Sequence, residues 1–405
     1  MFGLADQERG VGWNPRASPD SQWKLGRTRT LLDLAGAPDR ALRIALVAGT
    51  KGKGSTCAML ASILGAAGVR CGLYTKPHLQ VYRERVRVDG VAISDLAFTE
   101  ELERFRALSD QLPPEAGEPT TFEVTTAVAL DYFARRGCRI AVVEVGLGGR
   151  LDATNATEPE LSVIASISYD HTAILGRTLG AIAGEKAGIM RGARPTLLAE
   201  QRPAATRALR AVCRRVGAHC RTVASLEHDI PLAGLHQRQN AALAIEAART
   251  LCPDLGEAAI QRGLRRLRWP GRFEVVDDVI LDGAHNGASA ATLAETLRSY
   301  LAGRRLTLVI GINRDKDARA VLRPLLPLAA HVWATQTADN PRALPAREVA
   351  RLCRRLGKAA SAEADVEGAL RAARASGGVV CVTGSLMLVG QARDALGLPA
   401  PERLW

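Results

Sequence analysis

Residues 43–68 constrain this chain more than any other stretch. They read RIALVAG, then TKGKG, then STCAMLASILGAAG. An apolar run of strand length passes through a glycine-rich turn into a longer apolar run that stops at Gly68. Uniform apolarity over so few residues marks a strand buried on both faces, and the longer run has helical length. Strand, loop and helix in this order build a parallel α/β layer. The alternation continues with CGLYT (71–75), a helical TTFEVTTAVALDYFARRG (120–137), and the strands RIAVVEVG (139–146) and LSVIASIS (161–168). It restarts after WPGRFEVV (269–276), where VILDG, LTLVIG, HVWATQ and VVCVTGS are four further strands between helical stretches. A chain of 405 residues exceeds what one core usually supports. Two α/β domains are therefore expected. Residues 1–273 form a P-loop-type parallel-sheet domain, and residues 274–405 a smaller Rossmann-like one.

Four stretches carry candidate chemistry. The first is the loop VAGTKGKGST (47–56) itself. A helix N-terminus offers free N–H groups and a partial positive charge to an anion. Gly49, Gly52 and Gly54 allow close backbone approach, Lys53 reaches terminal phosphates, and Ser55 or Thr56 supplies a hydroxyl. The common pattern G-x-x-x-x-G-K-[ST] is broken, because Val47 stands at its first glycine and Gly54 separates Lys53 from the hydroxyls. The second is Glu144, which closes a buried strand at the edge where parallel sheets place ligands, and suits Mg²⁺. The alternative is a surface acid at a strand end. Asp170 and His171 follow another apolar strand and are either structural or part of one metal and phosphate site. Last comes Lys186, in the apolar helical stretch AIAGEKAGIM (181–190). It needs a partner or a chemical change if buried, and otherwise snorkels.

The bulk properties exclude several classes. No run of eighteen apolar residues occurs, so no membrane span is expected. The first twenty residues lack an apolar core and do not read as a signal peptide. Eight scattered cysteines with no C-x-x-C pair read as buried free thiols of a cytoplasmic protein, without disulfide or zinc. The net charge of +12 favours anionic ligands, but no basic stripe interleaved with aromatics marks a nucleic-acid surface.

Taken in order, the stretches VAGTKGKGST, PHLQVYRERVRVDG, TTFEVTTAVAL, EVGLGGRLDATN, DHTAILG, IAGEKAGI, HQRQNAALAI, GRFEV, LDGAHN and TGSL resemble one family closely. It is the folylpolyglutamate synthase/dihydrofolate synthase family, within the Mur ligase superfamily. The family's loop, G-T-[NK]-G-K-G-[ST], accounts for the departures from the common pattern. The resemblance implies an ATP- and Mg²⁺-dependent ligase. It would join a pterin acid or folate to L-glutamate through an acyl phosphate, acting as a monomer. Gly49, Thr50, Gly52, Lys53, Gly54, Ser55 and Thr56 would then hold the nucleotide, together with Asn240, Arg272 and Asp282. Glu144, His171 and Ser55 would be metal ligands. Phe122, Glu123, Leu151, Asp152 and Ala153 would line the pterin site. His285 and Ser385 would handle glutamate, Lys53 and Asp282 would share in catalysis, and Lys186 matches a lysine that CO₂ converts to a carbamate. The alternatives are another Mur-type amino-acid ligase and a non-catalytic nucleotide-binding protein.

Three departures stand out. The family has T-S-P-H, with a metal-binding serine, where this chain has Thr75-Lys76-Pro77-His78. An ammonium has no lone pair for Mg²⁺, so Lys76 is expected to neutralise phosphate charge, with water or Thr75 completing the metal shell. Gly287 stands where proline commonly follows the asparagine of LDGAHN. The short span between Lys186 and His236 suggests trimmed strands at the end of the first domain.

Overall fold

The computed structural model describes residues 4, 25–227, 230–338 and 340–405. The stretch read as lacking a signal peptide lies outside these residues except for Leu4. Eight strands form the first sheet: β1 (Arg43–Ala48), β2 (Cys71–Tyr74), β3 (Val86–Val88), β4 (Val91–Ala92), β5 (Ile140–Glu144), β6 (Leu161–Ile164), β7 (Pro195–Ala199) and β8 (His219–Val223). Their spatial order is β4-β3-β2-β5-β1-β6-β7-β8. From β2 to β8 all pairings are parallel, and the β3–β4 hairpin adds an antiparallel edge. The span after Lys186 thus carries two strands and the helix Pro203–Val216.

The central strands are continuous apolar runs because both faces of the sheet are covered. One core joins Ile44, Leu46 and Val143 to the helix Thr121–Arg135. The other joins Ala45, Val47 and Val142 to the helices Lys53–Ala66 and His236–Leu251. Lys53–Ala66 is buried nearly all round, as expected of a helix without a polar face. Helix Glu257–Arg266 seals it from outside. A Cβ on Gly263 would lie 2.5 Å from the Ile63 Cα, so only glycine permits that approach.

The second sheet contains β9 (Glu274–Val276), β10 (Val279–Leu281), β11 (Leu306–Ile310), β12 (Ala329–Ala334), β13 (Ala360–Ala362) and β14 (Val379–Thr383). Its order is β13-β12-β11-β14-β10-β9, parallel except for β9. The four expected strands are its centre. The sequence did not announce β9 and β13, which are short and only partly buried. The chain end then returns to the first domain. Leu404 donates its N–H to Gly90 O at 3.1 Å and is 1% exposed within the first domain's core.

One expectation about cysteine fails. Cys213 and Cys220 form a disulfide, while Cys57, Cys71, Cys138, Cys252, Cys353 and Cys381 are free. Gly217, in the left-handed conformation, ends the helix Pro203–Val216 and turns the chain back into β8. This brings the two Cα atoms to 6.4 Å, inside the bonding range. Sequence spacing did not reveal that reversal. No helix among the described residues is long and apolar enough to cross a membrane.

Candidate active site

A cavity of about 700 Å³ opens where the C-terminal ends of the two sheets face each other. The chain leaves β1 toward β2 on one side and reaches β6 on the other, so the loop after β1 sits at a reversal of strand order. Ligands of parallel α/β sheets collect at such points. Gly49, Thr50, Lys51, Gly52, Lys53, Gly54 and Ser55 all line the cavity. Gly52 has φ 80° and caps the helix Lys53–Ala66. A Cβ there would sit 2.1 Å from Asn240 Oδ1, so glycine is required both by conformation and by space. Thr56 lies one residue deeper, is fully buried and does not line the cavity.

Glu144 ends β5 inside the cavity wall, 4% exposed. Its Oε2 accepts the Lys76 N–H at 3.0 Å, and its Oε1 lies 3.9 Å from Lys53 Nζ. Burial raises the Glu144 carboxyl and lowers the Lys53 ammonium, although each partner opposes the other's shift. Nearby, the Lys186 Nζ donates to Gly49 O at 2.9 Å. Burial, aided by the charges of Lys53 and Lys76, pushes Lys186 down to about 7. The structure therefore decides against a snorkelling lysine, since Lys186 is only 4% exposed.

His171 follows β6 with φ 48° and lines the cavity. Burial, with the charge of Lys316 contributing, pushes its imidazolium down, although the side chain is still 40% exposed. Its neighbour Asp170 is held below the ordinary carboxylate range. Burial raises it, but His171 and Lys316 together outweigh that. The donors at this end are thus a buried carboxylate, the Ser55 hydroxyl and a neutral imidazole. Among the described residues no cluster of three or more His, Cys, Asp or Glu could hold a metal alone. Such a sparse set fits Mg²⁺, which takes one or two protein groups and completes its shell from phosphates and water.

From the second domain, Asp282 spends its two oxygens on backbone. Oδ2 accepts Phe273 N–H and Oδ1 accepts Ala284 N–H, each at 2.9 Å. Burial raises its carboxyl against the pull of Arg272. His285 Nδ1 meets Gly283 O at 2.8 Å, and burial holds the ring neutral. Ser385 caps the helix Leu386–Ala395 without a side-chain hydrogen bond. Asn240, Arg272, Asp282, His285 and Ser385 all line the cavity.

The expected pterin residues are placed differently. Glu123 is buried in a bidentate pair with Arg27, with Nε and Nη2 each 2.9 Å from a carboxylate oxygen. It also accepts the Thr120 N–H in a capping box. Asp152 accepts the Leu147 and Thr154 N–H groups and shapes its own turn. Phe122 packs beneath Gly146, and Lys76 Nζ stands 5.7 Å from its ring centroid. Phe122, Glu123, Leu151, Asp152 and Ala153 are not among the residues that line this cavity. Pro77, His78, Tyr82, Thr121, Gly146 and Leu147 provide the surface instead.

Sequence reading also left out His236, Lys316 and Arg342, all cavity residues. Lys316 follows β11 in GINRDKD, at the same kind of strand end that drew attention to Glu144, so the signal was present. Comparison with known proteins then decides the family. The chain matches the Mur ligase middle domain over residues 47–209 and the Mur ligase, glutamate ligase domain over 271–386. It is 36% identical to the dihydrofolate synthase/folylpolyglutamate synthase of Bacillus subtilis, across 92% of this chain and 94% of that protein. The chain belongs to the folylpolyglutamate synthase/dihydrofolate synthase family. Its fold is also that of the family. The Mycobacterium tuberculosis folylpolyglutamate synthase complexed with ADP and AMPPCP superposes with a TM-score of 0.88 at 31% identity, covering 93% of this chain and 96% of that one. Escherichia coli FolC in complex with DHPP and ADP superposes with a TM-score of 0.84 at 30% identity, covering 95% and 99%. A Yersinia pestis member of this family, complexed with AMPPNP and Mn ion, gives 0.83 at 30% identity, covering 95% and 100%.

Proposed function

We propose that this chain is an ATP-dependent ligase that joins the amine of L-glutamate to a carboxylate of dihydropteroate, a reduced folate, or both. The observation that carries the reading is one cavity in which the loop after β1, the buried Glu144 and Lys186, and the strand-end residues Asp282, His285 and Ser385 face each other. When bound, ATP supplies the phosphoryl group that turns an unreactive carboxylate into an acyl phosphate, and Mg²⁺ neutralises the phosphate charge.

The chain's own residues do the rest by position and charge. Gly49, Gly52 and Gly54 bring backbone N–H groups to the phosphates, and Lys53 faces the terminal one. Asn240 and Arg272 flank the nucleotide. Glu144, His171 and Ser55 would hold the metal. Lys76 has no lone pair for the metal and would instead add positive charge, and because Thr75 does not line the cavity, water would be left to complete the shell. Lys186, buried and pushed down to about 7, has a substantial share of neutral amine near neutral pH, and that amine is a competent nucleophile for CO₂. A carbamate there exchanges a costly buried ammonium for an anion beside Lys53. Asp282 fixes the interdomain linker through Phe273, and His285 and Ser385 face the incoming glutamate. Closure of the two domains excludes water from the reactive acyl group. The reading includes a monomer acting in the cytoplasm.

The test supplies ATP, Mg²⁺ and labelled glutamate with dihydropteroate or tetrahydrofolate separately. ADP release matched to a product one glutamate heavier is expected with at least one acceptor. No product with either would sink the reading.

A further inference from the structure

The two domains meet along two flanks of the cavity. On one, the contact is extensive. A Cβ on Gly390 would lie 2.0 Å from Leu79 O, so the helix Leu386–Ala395 rests directly on first-domain backbone. Gln80 donates to Asp394 at 2.7 Å and to Leu398 O at 3.0 Å. The chain end adds the Ala92 N–H to Glu402 O bond at 2.9 Å and buries Leu404. On this flank the two domains are therefore packed backbone against backbone and covered by the chain end.

On the other flank one carboxylate receives two donors from the second domain. Asp170 Oδ1 lies 3.0 Å from Lys316 Nζ, and both side chains are 11% exposed. Asp170 Oδ2 accepts from Asn286 Nδ2 at 2.9 Å. Asn286 is already committed to the second domain, because its Oδ1 caps the helix Gly287–Leu301 by accepting Ser289 N–H at 2.9 Å. Asp170 is equally committed to the first, where Oδ1 accepts the His171 N–H at 3.0 Å. Each end of the contact is thus anchored to a rigid element, and Asp170 is bonded to the backbone of a residue that faces the phosphates.

We propose that Asp170 is a positioning residue, a latch that takes Lys316 and Asn286 to dock the second domain over the cavity and fixes the His171 turn as it does so. The latch rests on the ligase reading. It gives the enzyme a way to assemble the glutamate side of the site against the phosphate side, with none of the three residues reacting.

The experiment compares wild type with Lys316→Met, Asp170→Ala, their double variant, and Lys316→Arg as the conservative rescue. Small-angle scattering is recorded with and without AMPPCP and Mg²⁺, and steady-state kinetics are measured for glutamate. Lys316→Met leaves the first domain's sequence intact, so it stands if Asp170→Ala fails to fold. Expected are a larger radius of gyration for the Met and Ala variants and a KM for glutamate raised by about tenfold, with kcat lowered much less. Lys316→Arg should return both toward wild type, and the double variant should be no worse than the worse single one, since one contact is lost in each. Equal radii for wild type and Lys316→Met would overturn the latch, as would additive losses in the double variant. Scattering needs no turnover. A wild type that joins no glutamate would sink the proposed function and still leave the latch to be judged by its radius.

Discussion

Lys186 reaches across the first domain to donate its ammonium hydrogen to the carbonyl of Gly49, 2.9 Å away. A lysine on the helix Leu179–Ala187 is thereby tied to the glycine that opens the phosphate loop. Burial pushes this lysine down to about 7, so it loses its proton as pH rises through neutrality.

Carbamate formation needs the neutral amine, which gives the first prediction its sign. At a fixed, limiting supply of CO₂, activity should fall as pH drops below about 7, and removing bicarbonate altogether should lower it at every pH. Lys186→Ala should lose about 100-fold or more in kcat, with partial recovery on adding a small carboxylate. Near-normal turnover of Lys186→Ala, read by ADP release, would refute the carbamate role.

Glu144→Gln keeps the side chain's shape and removes the charge beside Lys53. The Mg²⁺ concentration for half-maximal rate should rise by about tenfold or more, since a carboxylate ligand is lost. A magnesium titration that superimposes on wild type would remove Glu144 from the metal site.

Lys76 lines the same cavity as Lys53, and its charge helps to lower both Lys53 and Lys186. Lys76→Ser should therefore change the rate and shift the Mg²⁺ dependence together. If neither moves, Lys76 plays no part in balancing phosphate charge.

Glu123 is predicted to matter for stability and not for substrate. Removing one partner of a buried pair leaves the other charge uncompensated, so Glu123→Ala should cost about 3 kcal/mol in urea unfolding. The KM for the pterin acid should stay near wild type at a temperature where the variant is folded. Unchanged stability with a raised KM would return Glu123 to the binding surface.

These cases show what the sequence disclosed. The central strands were legible because strands buried on both faces are continuously apolar, as IALVA in β1 and IAVV in β5 are. Glu144 was legible because it closes an apolar strand, whereas Lys186 read from its own stretch as a snorkelling side chain until its burial was seen. Edge strands such as β4 and β13 were not, since short half-exposed segments carry no period. The partners of Glu123 and Asp152 were not legible, for a related reason. Both acids lie in stretches that matched the family, yet a sequence match does not say whether a carboxylate faces a ligand or, as here, Arg27 and backbone N–H groups. The Cys213–Cys220 disulfide depended on a chain reversal at Gly217 that spacing alone did not show.

The most direct measurement follows oxygen. Dihydropteroate or tetrahydrofolate labelled with ¹⁸O in the reacting carboxylate is incubated with the enzyme, ATP, Mg²⁺ and glutamate, and the phosphate released is analysed by mass. Activation by phosphoryl transfer predicts one ¹⁸O in phosphate for each glutamate joined. Glutamate joined with unlabelled phosphate would contradict the acyl-phosphate route, and no glutamate joined to either acceptor would contradict the ligase itself.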